Sequence, residues 1–151
     1  MIIMMRVYAD TSVFGGYFDS EFEESSNRLL KEFISGLKTA VISDLTLKEV
    51  EKVPSAVRKV FEEIPREHKE YVILNEEAMN LAQYYIKDGA ATENHLVDAQ
   101  HLAIATVHKV DVLVSWNFNQ IVNLKRIRQY NSVNLKNGYF LLEIRSPQEI
   151  L

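Results

Sequence analysis

Asp98 stands near the start of Asn94–His108, a stretch otherwise dominated by Val97, Ala99, Leu102, Ala103 and Ile104. A carboxylate placed on so apolar a helix calls for a partner or a task. Asp10 poses the same question at the end of the apolar run Ile2–Ala9, and Ser115-Trp116-Asn117 poses it after Val112–Val114. Glu49 lies on the helix expected to begin at Leu45. If Asp10, Glu49 and Asp98 share a pocket, their charges repel, and the group either takes up protons or attracts a cation. Mg²⁺ or Mn²⁺ suits such oxygen ligands, and Mg²⁺ is commonly held by one or two carboxylates, water and substrate phosphate. The chemistry that follows is metal-assisted attack of water on a phosphodiester. Ser12 and Ser115 are expected to orient a carboxylate or a metal-bound water.

Each acid also has a plainer reading. Asp10, taken alone, fits a turn residue that accepts backbone amides. Glu49, beside Lys48, Glu51 and Lys52, fits a solvated helix face. Asp98 interacts favourably with a helix dipole from the first turn. His101 and His108 read as helix-face or helix-end residues, since neither has a partner acid at metal spacing. Trp116 reads as a packing residue ahead of a base-stacking platform.

The elements that must position these residues alternate. Ile2–Ala9 has the unbroken apolar character of a central strand buried on both faces. Helical spacing recurs over Glu23–Leu37, through Leu29, Leu30, Phe33, Ile34 and Leu37. Ala40–Ile42 is a short strand, with Ser43 or Asp44 capping the helix that carries Glu49. Pro54 opens a helix that Pro65 closes, Tyr71–Leu74 is a strand, and Asn75 caps a helix through Asp88 that buries Met79, Leu81, Ala82 and Tyr85. Asn94–His108 and Val112–Val114 follow, then a helix over Gln120–Tyr130 and a last strand over Tyr139–Ile144. Alternating helices and short apolar strands imply an α/β fold, a parallel sheet covered on both faces. Right-handed crossovers align the strand C-termini along one edge, where ligands bind near a reversal of strand order.

The 151 residues suit one domain, 1–151, with a sizeable core. No cysteine is present, which excludes a disulfide framework, a thiolate zinc site and a cysteine nucleophile, and fits a reducing, cytoplasmic setting. Met1–Met5 lacks the basic start, length and cleavage site of a secretory leader and is read as the run into the first strand. No apolar run approaches the roughly 20 residues of a membrane helix. A net charge of −4 argues against broad nucleic-acid binding through a basic surface. A local rim drawn from Arg6, Lys48, Lys52, Arg126 and Arg128 stays compatible with it.

VYADTSVFGG, a Glu after the second strand, VDAQHLAIA and LVSWNF together resemble the PIN-domain nucleases, including the toxin ribonucleases of VapBC toxin–antitoxin pairs. The resemblance spans nearly the whole chain. It implies a three-layer α/β/α sandwich, Mg²⁺- or Mn²⁺-dependent cleavage of RNA, a homodimer and a small antitoxin partner. By position, Asp10, Glu49 and Asp98 correspond to the family's first three acids. Asn117 stands where the fourth is usual, and Asn119 where a second nearby acid occurs. An amide there supplies no charge, which implies weaker binding of a second metal.

Two functions therefore compete: a metal-dependent endoribonuclease, the toxin of a type II pair, and a catalytically weak or inactive PIN-like module that binds RNA or protein. A phosphatase or response-regulator receiver is set aside, because the chain lacks the Lys after a late strand that a receiver needs and its second acid sits on a helix.

Overall fold

The computed structural model describes residues 4–151, so the expected strand start at Ile2 lies outside the described residues. The strands are β1 (Met5–Ala9), β2 (Lys38–Ser43), β3 (Lys69–Val72), β4 (Val112–Val114) and β5 (Ile144–Arg145). The helices are α1 (Thr11–Gly16), α2 (Glu23–Ser35), α3 (Asp44–Glu51), α4 (Ser55–Glu62), α5 (Glu76–Lys87), α6 (Leu96–Val107) and α7 (Leu124–Lys136). The strands form one sheet in the order β3-β2-β1-β4-β5, and every pairing is parallel.

Side-chain alternation along the strands divides the core into two layers. Val7, Ala9, Ala40, Ile42, Val112 and Val114 pack with Val13, Leu29, Phe33 and Phe61 of α1, α2 and α4. Tyr8, Val41 and Leu113 face the other way, against Leu81, Tyr85, Leu102 and Tyr130 of α5, α6 and α7. The result is the three-layer α/β/α sandwich. Helix α6 lies deepest: Ala99 and residues 101–106 are all buried. Among the described residues no helix is long and apolar enough to cross a membrane.

Several boundaries differ from the sequence reading. The turn expected after Asp10 is helix α1, started by the Asp10 side chain accepting from the Ser12 amide. Strand β3 begins and ends two residues earlier than expected, because the Leu74 amide leaves the ladder to donate to Asp44 Oδ1 (2.9 Å). Met79 is exposed and Ala78 takes the buried position on α5. Helix α7 starts at Leu124, not Gln120, since Asn123 caps it by accepting from the Arg126 amide. Strand β5 is only two residues long. Before it, Asn131 clamps Leu142 through both backbone groups (2.7 and 3.0 Å) in place of a strand neighbour.

Candidate active site

Strand β1 is flanked by β2 and β4, and chain order reverses about it. Asp10 follows β1, Ser115 follows β4, and α3 follows Ser43 at the end of β2, so all three connections open on one edge at the switch point. Asp10 is 6% exposed. Its Oδ1 accepts from the Ser12 amide (3.1 Å) and Ser12 Oγ (2.5 Å), and its Oδ2 accepts from Ser115 Oγ (2.6 Å). Those hydroxyls in turn accept from the amides of Trp116 (3.0 Å) and Asn117 (2.9 Å). The loop after β4 is thereby fastened to α1 across Asp10.

Glu49 reaches in from α3, with its Oε1 accepting from Thr11 Oγ1 (3.2 Å) and His101 Nε2 (2.5 Å). The opposite ring nitrogen of His101 bonds the Tyr8 hydroxyl (2.6 Å), which also meets Ser43 Oγ (2.8 Å). His101 is buried, so its role differs from the helix-face position read from sequence. It links α6 to α3 and β1 beneath the acids. A signal for it existed: His101 is three residues after Asp98 on one helical face. Tyr8 likewise shares strand parity with Asp10.

Asp98, in the first turn of α6, has looser company. His95 Nδ1 and Asn117 Nδ2 both lie 3.5 Å from its Oδ2. The Asn117 side-chain oxygen accepts from the Gln120 amide (3.0 Å). Asn117 thus turns its NH₂ toward Asp98 and spends its oxygen on the local turn.

Charge at this edge is under tension. Burial pushes the Asp10 carboxyl above the usual carboxylate range, against the pull of His101, Ser115 and Ser12, and the Glu49 charge adds to the rise. Burial likewise raises Asp98, followed by repulsion from Asp10, with Glu49 adding a smaller push. Burial also works to raise Glu49, but hydrogen bonds from His101 and Thr11 and the positive charge of His101 and Lys52 outweigh it and hold Glu49 low. The three acids therefore feel one another.

The raised Asp98 carboxyl makes stability depend on pH. Its neutral form costs nothing below the unfolded value of 3.8, and stability falls as pH rises through the raised folded value. Asp98→Asn should therefore be neutral or stabilising by up to about 1 kcal/mol near neutral pH without divalent ions, with the gain vanishing near pH 4. Urea melts in EDTA at the two pH values measure this. A loss above about 2 kcal/mol near neutral pH would assign Asp98 a structural hydrogen-bonding role instead.

The donor set suits a hard cation, because its ligating atoms are oxygens and two of its carboxyls are held in a repulsion that a cation relieves. Among the described residues no three His, Cys, Asp or Glu side chains are grouped closely enough to hold a metal ion by themselves. Asp10 and Glu49 are each already engaged by donors of the chain itself. Of the candidate basic rim, Arg6 stands near the far end of β1, bonded to Glu70 and to the Lys109 carbonyl (2.8 Å). Arg126 is bound to the Ala90 carbonyl (2.9 Å).

A model of the PIN domain family matches residues 7–120, the span from β1 through the loop after β4. The chain belongs to the PIN domain family. The match takes in Asp10, Glu49, Asp98 and Asn117, and leaves α7 and β5 outside it. The fold also matches a solved structure, VapBC2 from Rickettsia felis bound to a DNA fragment from its promoter, with a TM-score of 0.58 and 15% identity. That alignment covers 93% of this chain and 98% of the other, and at such identity the likeness is one of PIN fold. No curated protein matches the chain.

Proposed function

We propose that this PIN-domain chain is an endoribonuclease that hydrolyses RNA phosphodiester bonds with Mg²⁺ or Mn²⁺, acting as the toxin of a type II toxin–antitoxin pair. The observation that supports this reading is the PIN-family match over residues 7–120, which spans Asp10, Glu49 and Asp98 on elements that open on the sheet's switch point. Asp10, Glu49 and Asp98 are the residues that would hold the ion. When bound, such an ion supplies a water of lowered pKa and neutralises charge that develops on the phosphoryl oxygens. The chain's own groups prepare the site. Ser12 and Ser115 fix both oxygens of Asp10, His101 and Thr11 fix Glu49, and the Asn117 amide leans on Asp98. The likeness to the VapBC2 complex supports an antitoxin as the proposed partner, and the resemblance to the VapBC toxins makes a homodimer the proposed assembly.

Thermal melts and an RNA cleavage assay test the proposal together. Mn²⁺ at a hundred times its dissociation constant should add about 2.7 kcal/mol of stability. For a chain of this size that is a rise of roughly 5–10 °C. Asp98→Asn should abolish the rise, and wild-type protein should cut RNA only with the ion present. An unchanged melting temperature in millimolar Mn²⁺ counts against the site.

One feature supports the second reading, a PIN-like module that binds RNA or protein with little or no catalysis. Asn117 occupies the fourth acidic position and its oxygen is committed to the Gln120 amide. Manganese binding and RNA binding without cleavage would select that reading.

A further inference from the structure

Helix α1, the segment that follows it and the loop after β4 border an open pocket of about 300 Å³ next to the acid edge. Two of its lining side chains, Phe22 and Trp116, are aromatic. The rings of Phe22 and Trp116 stack with centroids 4.3 Å apart and planes 16° apart, and Phe118 tilts against both. Trp116 is anchored by donating from Nε1 to Ser26 Oγ (2.8 Å), so its ring is fixed edge-on to α2. Gly15 and Gly16 form another wall. A Cβ at Gly16 would stand 2.7 Å from the Trp116 ring nitrogen, whereas one at Gly15 would meet nothing within 4 Å. Gly16 thus lets the indole approach, and Gly15 leaves the space beside it open.

Two more lining residues join the cavity to the acid site. Ser12 donates to Asp10, and Asn117 faces Asp98. Asp19, whose Oδ1 accepts from the Glu21 amide (2.9 Å), brings a hydrogen-bond acceptor to the rim. A flat aromatic ring seated here would lie against fixed aromatic surface, one side chain away from the carboxylates. Packing inside the fold accounts for the Phe22–Trp116 stack but not for the open space in front of it.

We propose that this cavity is a stacking subsite for one unpaired nucleobase of the RNA, holding the nucleotide next to the bond presented to the acids. The inference rests on the ribonuclease reading of the same site. Stacking on an aromatic platform tolerates any base and binds single strands in preference to duplex. The subsite therefore selects an unpaired nucleotide beside the cut, and it does so without requiring a broad basic surface, in keeping with the net charge of −4.

Trp116 is the sole tryptophan of the chain, so its fluorescence reports the cavity directly. Full-length protein in EDTA, where the ion is withheld, is titrated with a short unstructured oligoribonucleotide while indole emission and the anisotropy of end-labelled RNA are followed. The expected result is saturable quenching in step with binding, weakened on the order of tenfold by Phe22→Ala. Gly15→Leu fills the cavity from an unobstructed position and should abolish quenching with an unchanged or higher melting temperature. Should Phe22→Ala unfold the chain, Gly15→Leu decides alone. RNA binding with no change in Trp116 emission overturns the proposal, as does quenching that survives Gly15→Leu. Quenching by an arginine- or aromatic-bearing peptide but not by RNA also overturns it, assigning the cavity to a protein. Metal-dependent cleavage is read separately. Cleavage without quenching sinks the subsite and keeps the nuclease, and quenching without cleavage does the reverse.

Discussion

Asp10→Asn is expected to lower RNA cleavage by roughly three orders of magnitude, the several kcal/mol that a well-held ion contributes to the transition state. The melting temperature should stay within a few degrees of wild type, and that combination is what separates a ligand from a cap. The asparagine keeps an oxygen for the Ser12 amide, which starts α1, so the helix loses little. Its new NH₂ meets Ser115 Oγ, a hydroxyl able to rotate and accept instead of donate. The charge removed is one that burial already disfavours. Single-turnover cleavage in Mn²⁺ and melts in EDTA measure the two quantities. Cleavage within tenfold of wild type removes Asp10 from the ion. A fall of more than about 10 °C makes Asp10 chiefly structural.

The place of Asp10 beside Ser115 was legible because it follows from the topology of parallel strands, and the plainer reading of Asp10 as an acceptor of backbone amides is met by its bond from the Ser12 amide. Short apolar strands spaced by helices determine a parallel sheet, and a parallel sheet determines which ends share an edge. Glu49 was less legible: its sequence neighbours are those of a solvated helix, and the bond that holds its carboxylate comes from His101, a residue 52 positions away. The helix after Asp10 was missed because Gly15-Gly16 reads as a loop, while the Asp10 side chain and the close approach of Trp116 are tertiary facts. The late elements went wrong for a related reason. Asn123 and Asn131 spend their side chains on backbone groups, one starting α7 and one ending a strand before it forms. Such side-chain-to-backbone bonds compete with regular structure and leave no period in the sequence.

Asn117 joins the two kinds of information. Its place in the motif order is legible, and its departure from an acid is plain in the sequence. What the structure adds is direction: oxygen toward Gln120, nitrogen toward Asp98. A carboxylate at this position would add to the repulsion that Asp10 and Glu49 exert on Asp98, and a neutral amide adds none.

His101→Leu should destabilise the protein by about 2 kcal/mol and lower its melting temperature by roughly 4–8 °C. The ring sits buried between two oxygens, so an apolar replacement of similar volume removes two hydrogen bonds without opening a cavity. The Tyr8 hydroxyl, fully buried, keeps Ser43 but loses its stronger neighbour. Glu49 is partly exposed, its side chain at 34%, so water replaces much of what it loses and its share of the cost is small. That share also depends on pH. Glu49 is held low in the folded state, so its contribution is present above its unfolded value of 4.5 and is lost as pH falls through the folded one. The difference between wild type and variant should therefore narrow in acid.

A double-mutant cycle with Tyr8→Phe isolates the relay. Removing both polar partners leaves no orphaned hydroxyl facing leucine, so the double variant should be at least about 1 kcal/mol more stable than the sum of the single losses requires. Strict additivity would show that His101 and Tyr8 act independently. Cleavage should also fall by about 10- to 100-fold in His101→Leu, the usual cost of releasing a ligand from the group that aims it. Because Tyr8→Phe leaves the His101–Glu49 bond intact, it should spare most of that activity while losing stability. A Tyr8→Phe variant as impaired in cleavage as His101→Leu would mean that the whole buried chain, not the histidine alone, sets the position of Glu49.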